Sequence, residues 1–542
     1  MATILEEIYS TDKYICDFIS RSLDMDRGLV SQAIIAVLRN FVEHIALYEY
    51  SIDKSEELEN NWESIHKKGI PYLNCCGHLK FLKEFHDFLS ISVSHYTPNQ
   101  DNSERLMLKY YEYLFRTRKY LEEKRKISVL NNLELFPLNL DQGLLEYYKK
   151  ISEIINTINH SIKTEYNSFY ILKKKPFYIE KDMFFEMTLA LADDYSSKYD
   201  RIIVYTKDDI PQNYAIRTNF LYGFIDIFDM KFPITIINDW EISIRPCELN
   251  NFCKFFGLGN NIQKGYVEYK NLMSFLKESG FTLVDLVKMP DSLYKGYKNE
   301  ILKGNKKEYF FPALSATRVL YKKESAGSNV LLYLLNGLNN VVLKKQFSAV
   351  KESLLSNLFL NRKCKPFDDL PFNTALINHI PKFKDLVNSI GVKEHEDELL
   401  ARHIYNNIEQ KGILYTSIKE LNLNVQDIDE AISTYNDKLY SGHRPSRNLV
   451  KENGQIFIKG YEQDTISIIK ELIGLSSEGV SGYTNFAEAW LQSGKSNVDD
   501  PDKIMIIKEI FSTTKVAFVY GSAGTGKSTL IDHISNLFAD HK

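Results

Sequence analysis

Residues 515–542 read KVAFVYGSAGTGKSTLIDHISNLFADHK, and this stretch decides the fold expected of the C-terminal region. The pattern G-x-x-x-x-G-K-[ST] lies between the apolar run VAFVY and the amphipathic run STLIDHISNLF. A strand, a glycine-rich loop and a helix in that order are typical of the phosphate-binding loop of an α/β NTPase. The glycines turn backbone N–H groups towards phosphates, a lysine neutralises them and a hydroxyl completes a Mg²⁺ shell. We therefore expect ATP and Mg²⁺ as cofactors, with Mg²⁺ at Ser528 and the nucleotide at Gly521, Gly524, Gly526, Lys527, Ser528 and Thr529.

The motif stands at the end of the sequence, with thirteen residues after Thr529. Hydrolysis also needs an acidic residue on a later strand and usually an arginine finger. The sequence therefore predicts that 466–542 is the first part of a P-loop NTPase domain, and that the chain is the N-terminal portion of a longer protein. AGTGKS, preceded by the helix DKIMIIKEIF and a strand, resembles the first motif of superfamily 1 helicases. The glutamine usual upstream in that family is replaced by Asp502 or Lys503, so helicase and another P-loop ATPase stay as alternatives.

Helical periodicity dominates residues 1–165. The stretch 26–51 shows it best, with apolar residues at three- and four-residue steps: Val30, Ala33, Ile34, Val37, Leu38, Phe41, Ile45 and Tyr48. LMLKYYEYLFRTRKYLEEKRK (106–126) predicts a second long amphipathic helix with a basic end, which is either solvated or in contact with phosphate. We expect an all-α N-terminal domain.

The 26–51 helix contains RNFVEH, in which Asn40 follows Arg39 and His44 stands five positions after the arginine. This motif, in the middle of a helix of an N-terminal helical domain, resembles the HEPN family of small helical bundles. In that family an R-x(4–6)-H motif forms a metal-independent ribonuclease site. The resemblance implies catalytic roles for Arg39 and His44, a supporting role for Asn40, an RNA substrate and no cofactor for this part. It also implies a homodimer in which two motif helices face each other.

These residue types suit RNA cleavage, because RNA breaks when its own 2′-hydroxyl attacks the adjacent phosphorus. Histidine moves protons near neutral pH, and arginine stabilises charge on phosphoryl oxygens. Two other interpretations stay open. Arg39 and Glu43 could form an ordinary i,i+4 ion pair with His44 satisfied by a neighbour, or the domain could be a HEPN-like scaffold without catalysis.

The middle of the chain divides into three predicted segments. Short β-branched runs in 166–260 predict an α+β domain, and 261–395 reads as a mostly helical connecting region. In 396–465, three predicted helices precede an Asn453-Gly454 hairpin signal, an order that resembles a winged helix. The third of these helices is acidic, with Asp427, Asp429 and Glu430, so a protein contact is as well supported as DNA binding.

Composition limits the remaining possibilities. The net charge of −4 means that local patches, rather than the whole chain, must make any contact with nucleic acid. Six cysteines form neither a disulfide framework nor paired zinc-ligand spacing, and Cys75, Cys76 and His78 have no second ligand pair. An acidic N-terminus and the lack of an 18-residue apolar run predict a cytoplasmic protein without a membrane partner.

Together these features predict a HEPN-type endoribonuclease controlled by a helicase-like ATPase. Such fusions resemble bacterial anti-phage and toxin-type proteins, in which DNA or RNA activates the motor and the nuclease cleaves RNA. The alternative is a nucleic-acid-dependent ATPase or helicase whose N-terminal region is a non-catalytic binding and dimerisation scaffold.

Overall fold

The computed structural model shows a multidomain protein, as the sequence predicts. Two compact units are present: Met1–Asn406 with Ile418–Tyr440, and Asn407–Ser417 with Ser441–Lys542. The structure describes residues 2–21, 34–93, 103–138, 142–157, 167–179, 182–195, 201–227, 230–259, 261–305, 307–392, 395–421, 425–477, 479–480, 482–493, 501–520 and 526–540.

The N-terminal region is helical, as expected. Its long helices are α1 (Ala2–Arg21), α2 (Ile35–Lys54), α3 (Lys80–Val93) and α4 (Ser103–Tyr120). Apolar residues at helical spacing on α2, among them Leu38, Phe41 and Ile45, are fully buried in one core with the other three helices. Each large apolar side chain buried in this way contributes about 1.5–3 kcal/mol before entropy is counted. Part of the predicted 26–51 helix lies outside the described residues, since the described helix begins at Ile35.

Two turns of the N-terminal region are wound as π-helix. One, Ile65–Gly69, lies between the short helical segments Trp62–Ser64 and Ile70–Leu73. The other, Leu121–Arg125, continues α4 and ends at Lys126, whose φ of 58° stops the helix. The amphipathic helix predicted over 106–126 is therefore confirmed, with a wider last turn.

A closed five-stranded barrel follows. Its strands are β1 (Asn167–Ile179), β2 (Asp182–Leu191), β3 (Arg201–Thr206), β4 (Ile216–Ile227) and β5 (Met230–Ile242). The order around the barrel is β1-β2-β3-β5-β4, and β4 pairs back with β1. All neighbouring strands are antiparallel except β3 and β5. Two of the β-branched runs in 166–260, FPITIIND (232–239) and WEISIRP (240–246), predict separate strands, but 232–242 form the single strand β5.

Helix α5 (Gln142–Thr157) packs on the barrel, although the sequence places it in the 1–165 segment. The ring of Tyr148 stacks on that of Phe177 in β1, with centroids 4.2 Å apart, and Ile151 is buried in the same cluster. The apolar face of α5 is therefore buried against the barrel.

The connecting region is mostly helical, as predicted. Helix α6 (Pro246–Lys254) still belongs to the 166–260 segment. The connecting region contains α7 (Val267–Ser279), α8 (Leu283–Lys288), α9 (Asp291–Ile301), α10 (Phe311–Lys322), α11 (Ser328–Gly337), α12 (Asn340–Gln346), strands β6 (Phe347–Glu352) and β7 (Leu358–Leu360), α13 (Lys365–Asp369) and α14 (Phe383–Ser389). Buried Glu268 accepts hydrogen bonds from the backbone N–H groups of Tyr309, Phe310 and Phe311 at 2.6–3.2 Å. These bonds satisfy donors that the start of α10 would leave unpaired.

The 396–465 segment contains α15 (Glu396–Lys411), β8 (Thr416–Ser417), α16 (Val425–Lys438), α17 (Arg444–Arg447), β9 (Leu449–Glu452) and β10 (Gln455–Ile458). The predicted hairpin is confirmed, because Asn453 and Gly454 both have positive φ, 49° and 73°, as a type I′ turn requires. The helix predicted over LYTSIKEL is wrong. Thr416 and Ser417 pair with β10 instead, and only one 3₁₀ turn, Ile418–Glu420, follows.

The last helices are α18 (Lys459–Ser476), α19 (Tyr483–Gln492), α20 (Pro501–Thr513) and α21 (Lys527–Asp540). Trp490, Phe511 and Leu537 bring α19, α20 and α21 together in a small core. The helix after the glycine-rich loop is confirmed, but the strand predicted at VAFVY is not. Residues 516–520 pair with no described strand, and Phe518 and Tyr520 are 74% and 92% exposed. A strand needs backbone partners, which apolar composition cannot supply.

Candidate functional site

Arg39, Asn40 and His44 all lie on α2, the central helix of the N-terminal core. Asn40 is exposed and His44 is half-buried. The Arg39 side chain is 36% exposed, so it reaches solvent while its base is held by the core. Five residues on an α-helix rotate the direction of a side chain by about 140°, which separates Arg39 from His44.

The Glu43 carboxylate contacts both Arg39 and His86. The Arg39 Nε–H donates to Glu43 Oε1 at 2.9 Å, which is the i,i+4 ion pair expected as an alternative. His86 Nε2, on α3, lies 3.0 Å from the same oxygen. Glu43 and His86 side chains are each about 10% exposed, so this contact is buried between two helices. The structure thus joins Arg39 to Glu43 and His86, and not to His44.

The charge state of Glu43 follows from these contacts. Burial raises the pKa of its carboxyl, but the hydrogen bonds from His86 and Arg39 outweigh burial and leave the pKa below its ordinary value. An ionised carboxylate only accepts hydrogen bonds, so His86 Nε2 carries a proton. When His86 is neutral, its Nδ1 is then the nitrogen that can accept a proton.

Only one nitrogen of the Arg39 guanidinium, Nε, forms a hydrogen bond with a described residue. Glu43 engages Nε, and the two terminal nitrogens contact no described residue. A guanidinium held through Nε presents the other edge of its fork in a fixed direction. That edge suits a bidentate contact with a phosphate.

His44 has an unsatisfied nitrogen. Its Nδ1 is buried and has no hydrogen-bond partner among the described residues. Leaving a buried polar atom unpaired costs about 1–3 kcal/mol. One alternative was that a neighbouring residue satisfies His44. Among the described residues of one chain, no neighbour does so for Nδ1.

Sequence reasoning missed His86. It stands 47 positions after Arg39, so no spacing motif connects the two residues. One signal was present: Leu82, Phe85, His86 and Leu89 follow the i, i+3, i+4, i+7 pattern of a buried stripe. A histidine on such a stripe needs a buried polar partner, and Glu43 provides it.

The G-x-x-x-x-G-K-[ST] motif is described from Gly526 onward, whereas Gly521 and Gly524 lie outside the described residues. Gly526 has a φ of 77°, in the left-handed region that glycine tolerates best. Lys527, Ser528 and Thr529 form the first turn of α21, with Ser528 and Thr529 exposed. The first N–H groups of a helix have no partner within the helix, and together with the positive end of the helix dipole they make such a turn a suitable place for an anion.

Helix α20 approaches the same turn. Lys503 Nζ lies 3.1 Å from the point that a Cβ on Gly526 would occupy. Ile507 and Phe511 of α20 pack in the core that also buries Leu530 of α21. The start of α21 is therefore fixed against α20 by apolar contacts.

No group of three or more His, Cys, Asp or Glu side chains converges as metal ligands do within the described residues. All six cysteines are free, and Cys253 and Cys364 are buried. Among the helices that the structure describes, none has the length and apolarity to cross a membrane.

Comparison of this chain with models of protein families, with curated proteins and with solved structures finds no match. Any function must therefore be inferred from the chemistry of its own residues.

Proposed function

We propose that the chain is a metal-independent endoribonuclease of HEPN type, controlled by a helicase-like P-loop ATPase. The observation that carries this proposal is the half-used guanidinium of Arg39, which Glu43 holds through Nε while the terminal nitrogens reach solvent. A solvent-facing guanidinium edge with a fixed direction is the group that recognises a phosphodiester.

Arg39, Asn40 and His44 have different proposed roles in RNA cleavage. One histidine takes the proton from the 2′-hydroxyl, and that oxygen attacks the adjacent phosphorus. The bond to the 5′-oxygen breaks, and this oxygen receives a proton from the protonated second histidine of the proposed dimer. Arg39 stabilises the charge that develops on the non-bridging oxygens. His44 is the proposed acid–base residue, and its ring is half-buried, so part of it reaches the surface of α2. Asn40, exposed one position after Arg39, would hold the substrate.

The site requires two chains in this proposal. On one helix Arg39 and His44 point about 140° apart and cannot meet on one phosphate. A second copy of α2 facing the first would supply the complementary arginine and histidine, so we propose a homodimer through the N-terminal region.

The P-loop turn is the proposed control element. Lys527 would neutralise the phosphates of ATP, and Ser528 would complete the Mg²⁺ shell. We propose that 396–465 is a winged-helix-like module that receives a DNA or RNA signal, and the three-stranded sheet with the order β8-β10-β9 supports this. We propose that the protein acts in the cytoplasm, in anti-phage defence or as an RNA-cleaving toxin.

Cleavage of labelled RNA tests the ribonuclease. The purified protein is incubated with a fluorescein-labelled single-stranded RNA of mixed sequence, with and without EDTA, and with ATP, Mg²⁺ and single-stranded DNA as activators. We expect products with 2′,3′-cyclic phosphate ends and no cleavage of the same sequence made as DNA. Arg39→Ala and His44→Ala should each lower the rate about 100-fold or more.

Lys67→Ala is the matched control, because it also removes the cation of an i,i+4 ion pair in the N-terminal region, with Glu63. If Arg39→Ala and His44→Ala cleave as fast as Lys67→Ala, the proposed site is wrong. The Arg39–Glu43 ion pair favours the second candidate, a nucleic-acid-dependent ATPase with an N-terminal scaffold. That candidate predicts no RNA cleavage and full ATPase activity in the Arg39/His44 double variant.

A further inference from the structure

A large cavity opens within the first unit, on the side of α3 and α4 that faces the barrel. Its volume is about 1390 Å³, and its walls come from α3 and α4, from β1 and the loop after β3, and from α14 and its approach. Pockets for drug-sized ligands usually measure roughly 300–1,000 Å³. This space, which we call the central cavity, is therefore larger than one small metabolite needs.

The central cavity is positively charged in a protein that is negative overall. Twelve Lys and Arg residues and eight Asp and Glu residues are among the described residues that line it, whereas the whole chain has a net charge of −4. Cations concentrated in a concave wall attract anions more strongly than the same charges on an open surface, because the low-dielectric walls focus the field.

On one wall, three cations share two carboxylates. Lys109 and Arg116 contact Glu112 at 2.8 and 2.6 Å, and Arg116 and Lys174 both contact Asp209. Burial opposes ionisation, yet the surrounding cations lower the pKa values of Glu112 and Asp209 to about 2. Both carboxylates are thus charged and one positive charge remains. Arg116 Nε is also buried without a hydrogen-bond partner among the described residues.

Around α14 the lining carries Lys382, Lys384 and Arg402, which form no ion pair with a described carboxylate, although Asp385 lies close enough to interact with both lysines. The guanidinium of Arg402 lies 4.7 Å from the ring centre of Phe383 and donates from Nη1 to the Phe372 carbonyl at 2.7 Å. Its Nε is buried and unpaired. Lys382 and Lys384 stand exposed nearby and form no ion pair with a described carboxylate.

Aromatic side chains line the cavity as well, and the Lys277 ammonium lies 5.0 Å from the centre of the Trp240 ring. Phe81, Tyr113, Tyr120 and Trp240 are all half-buried and line the cavity. The rings of Phe81 and Tyr120 lie 5.9 Å apart, and the indole N–H of Trp240 is fixed by Asp208 at 3.0 Å. Aromatic faces beside cations are the arrangement that binds unpaired bases together with the phosphates that join them.

We propose that the central cavity binds nucleotide phosphates and unpaired bases, with the phosphates on Arg402, Lys384 and Lys382. A single-stranded RNA segment and a free nucleotide share this chemistry, and the volume accommodates either. The cavity uses neither Arg39 nor His44, which do not line it. The inference therefore goes beyond the proposed ribonuclease and stands even if no RNA is cleaved.

Binding is measured on full-length protein carrying Lys527→Ala, which silences the P-loop. One arm uses a fluorescein-labelled 2′-O-methyl hexauridylate, which cannot undergo cleavage through a 2′-hydroxyl, and the other uses a fluorescent ATP analogue. Lys382→Gln/Lys384→Gln changes two exposed side chains, and Arg402→Gln changes a partly buried one. The matched control, Lys13→Gln/Lys67→Gln, removes two exposed cations outside the cavity.

We expect at least one probe to bind, and the cavity variants to weaken its binding about tenfold or more. For the hexauridylate, each removed cation should lower the slope of log K against log salt by about 0.7. The probe whose binding is weakened by the cavity variants shows whether the cavity takes a nucleic-acid strand or a free nucleotide. Failure of both probes to bind, or equal weakening in the control variant, would overturn the proposal.

Discussion

Replacing Glu43 by glutamine tests the contact that joins α2 to α3. Glu43→Gln keeps the shape of the side chain and removes the charge that both Arg39 and His86 approach on Oε1, at 2.9 and 3.0 Å. The variant therefore separates the electrostatic part of the contact from its packing. We expect both helices to lose protection against local opening.

The magnitude follows from the exposure of each partner. The His86–Glu43 contact is buried, and a hydrogen bond to a charged group contributes about 1.5–3 kcal/mol. Arg39 is more than a third exposed, so solvent screening limits its share to about 0–1 kcal/mol. The total of about 1.5–4 kcal/mol corresponds to a factor of roughly 10–900 in the opening equilibrium.

The effect should depend on pH in a defined direction. The folded-state pKa of Glu43 lies below its ordinary value of 4.5. A carboxyl group whose pKa is lower in the folded state stabilises the fold at pH values above its unfolded-state pKa. This stabilisation is lost as the pH falls through the folded-state pKa. The difference between wild type and Glu43→Gln should therefore be full at neutral pH and shrink below about pH 4.

Hydrogen exchange followed by mass spectrometry measures this difference in peptides from Ile35–Lys54 and Lys80–Val93. Glu63→Gln is the control, since the Glu63–Lys67 pair has both side chains 68% exposed and should change nothing measurable. Equal protection of both helices in wild type and Glu43→Gln at neutral pH would refute the reasoning.

Three further substitutions have expected outcomes. Glu49→Gln removes a fully buried carboxylate that ion-pairs with Arg125, and should lower the free energy of unfolding of the N-terminal region by about 3–5 kcal/mol, measured by urea denaturation. Gly77→Ala would place a Cβ 2.0 Å from the carbonyl oxygen of Ser279, so the melting temperature should fall. Burial raises the pKa of Glu248 to about 7, so stability relative to Glu248→Gln should decline as pH rises from 5 to 8, by up to about 3 kcal/mol.

Each of these predictions has a result that contradicts it. For Glu49→Gln it is an unchanged urea midpoint. For Gly77→Ala it is a melting temperature equal to that of Gly259→Ala, a glycine whose added Cβ would meet nothing within 4 Å. For Glu248→Gln it is a stability difference that stays constant between pH 5 and 8.

Local patterns in the sequence predicted the local structure well. The three- and four-residue steps around Phe41 predicted α2, and the Asn453-Gly454 pair predicted a hairpin turn that the backbone adopts. Both signals depend on residues close together in the chain. The i,i+4 spacing of Arg39 and Glu43 likewise predicted their ion pair as an alternative.

Features that depend on distant pairing were not predictable. Closure of the barrel depends on β1 meeting β4 about 50 residues later, and nothing in either strand specifies that partner. His86 became part of the candidate site only through packing of α3 on α2. The VAFVY run failed as a strand for the same reason, because apolar composition alone does not provide a neighbouring strand.

The pairing around the barrel also has a mechanical consequence. Strands β1, β2 and β3 pair over long stretches, as do β4 and β5. Among the described residues, these two sheets are joined only where 167–169 meet 216–218 and where Tyr205 meets Ile236. A load that pulls the two sheets apart is therefore resisted there mainly by packed side chains rather than by backbone hydrogen bonds. Because β1 of one sheet and Trp240 of the other both line the central cavity, a ligand there would contact both sheets that this junction joins.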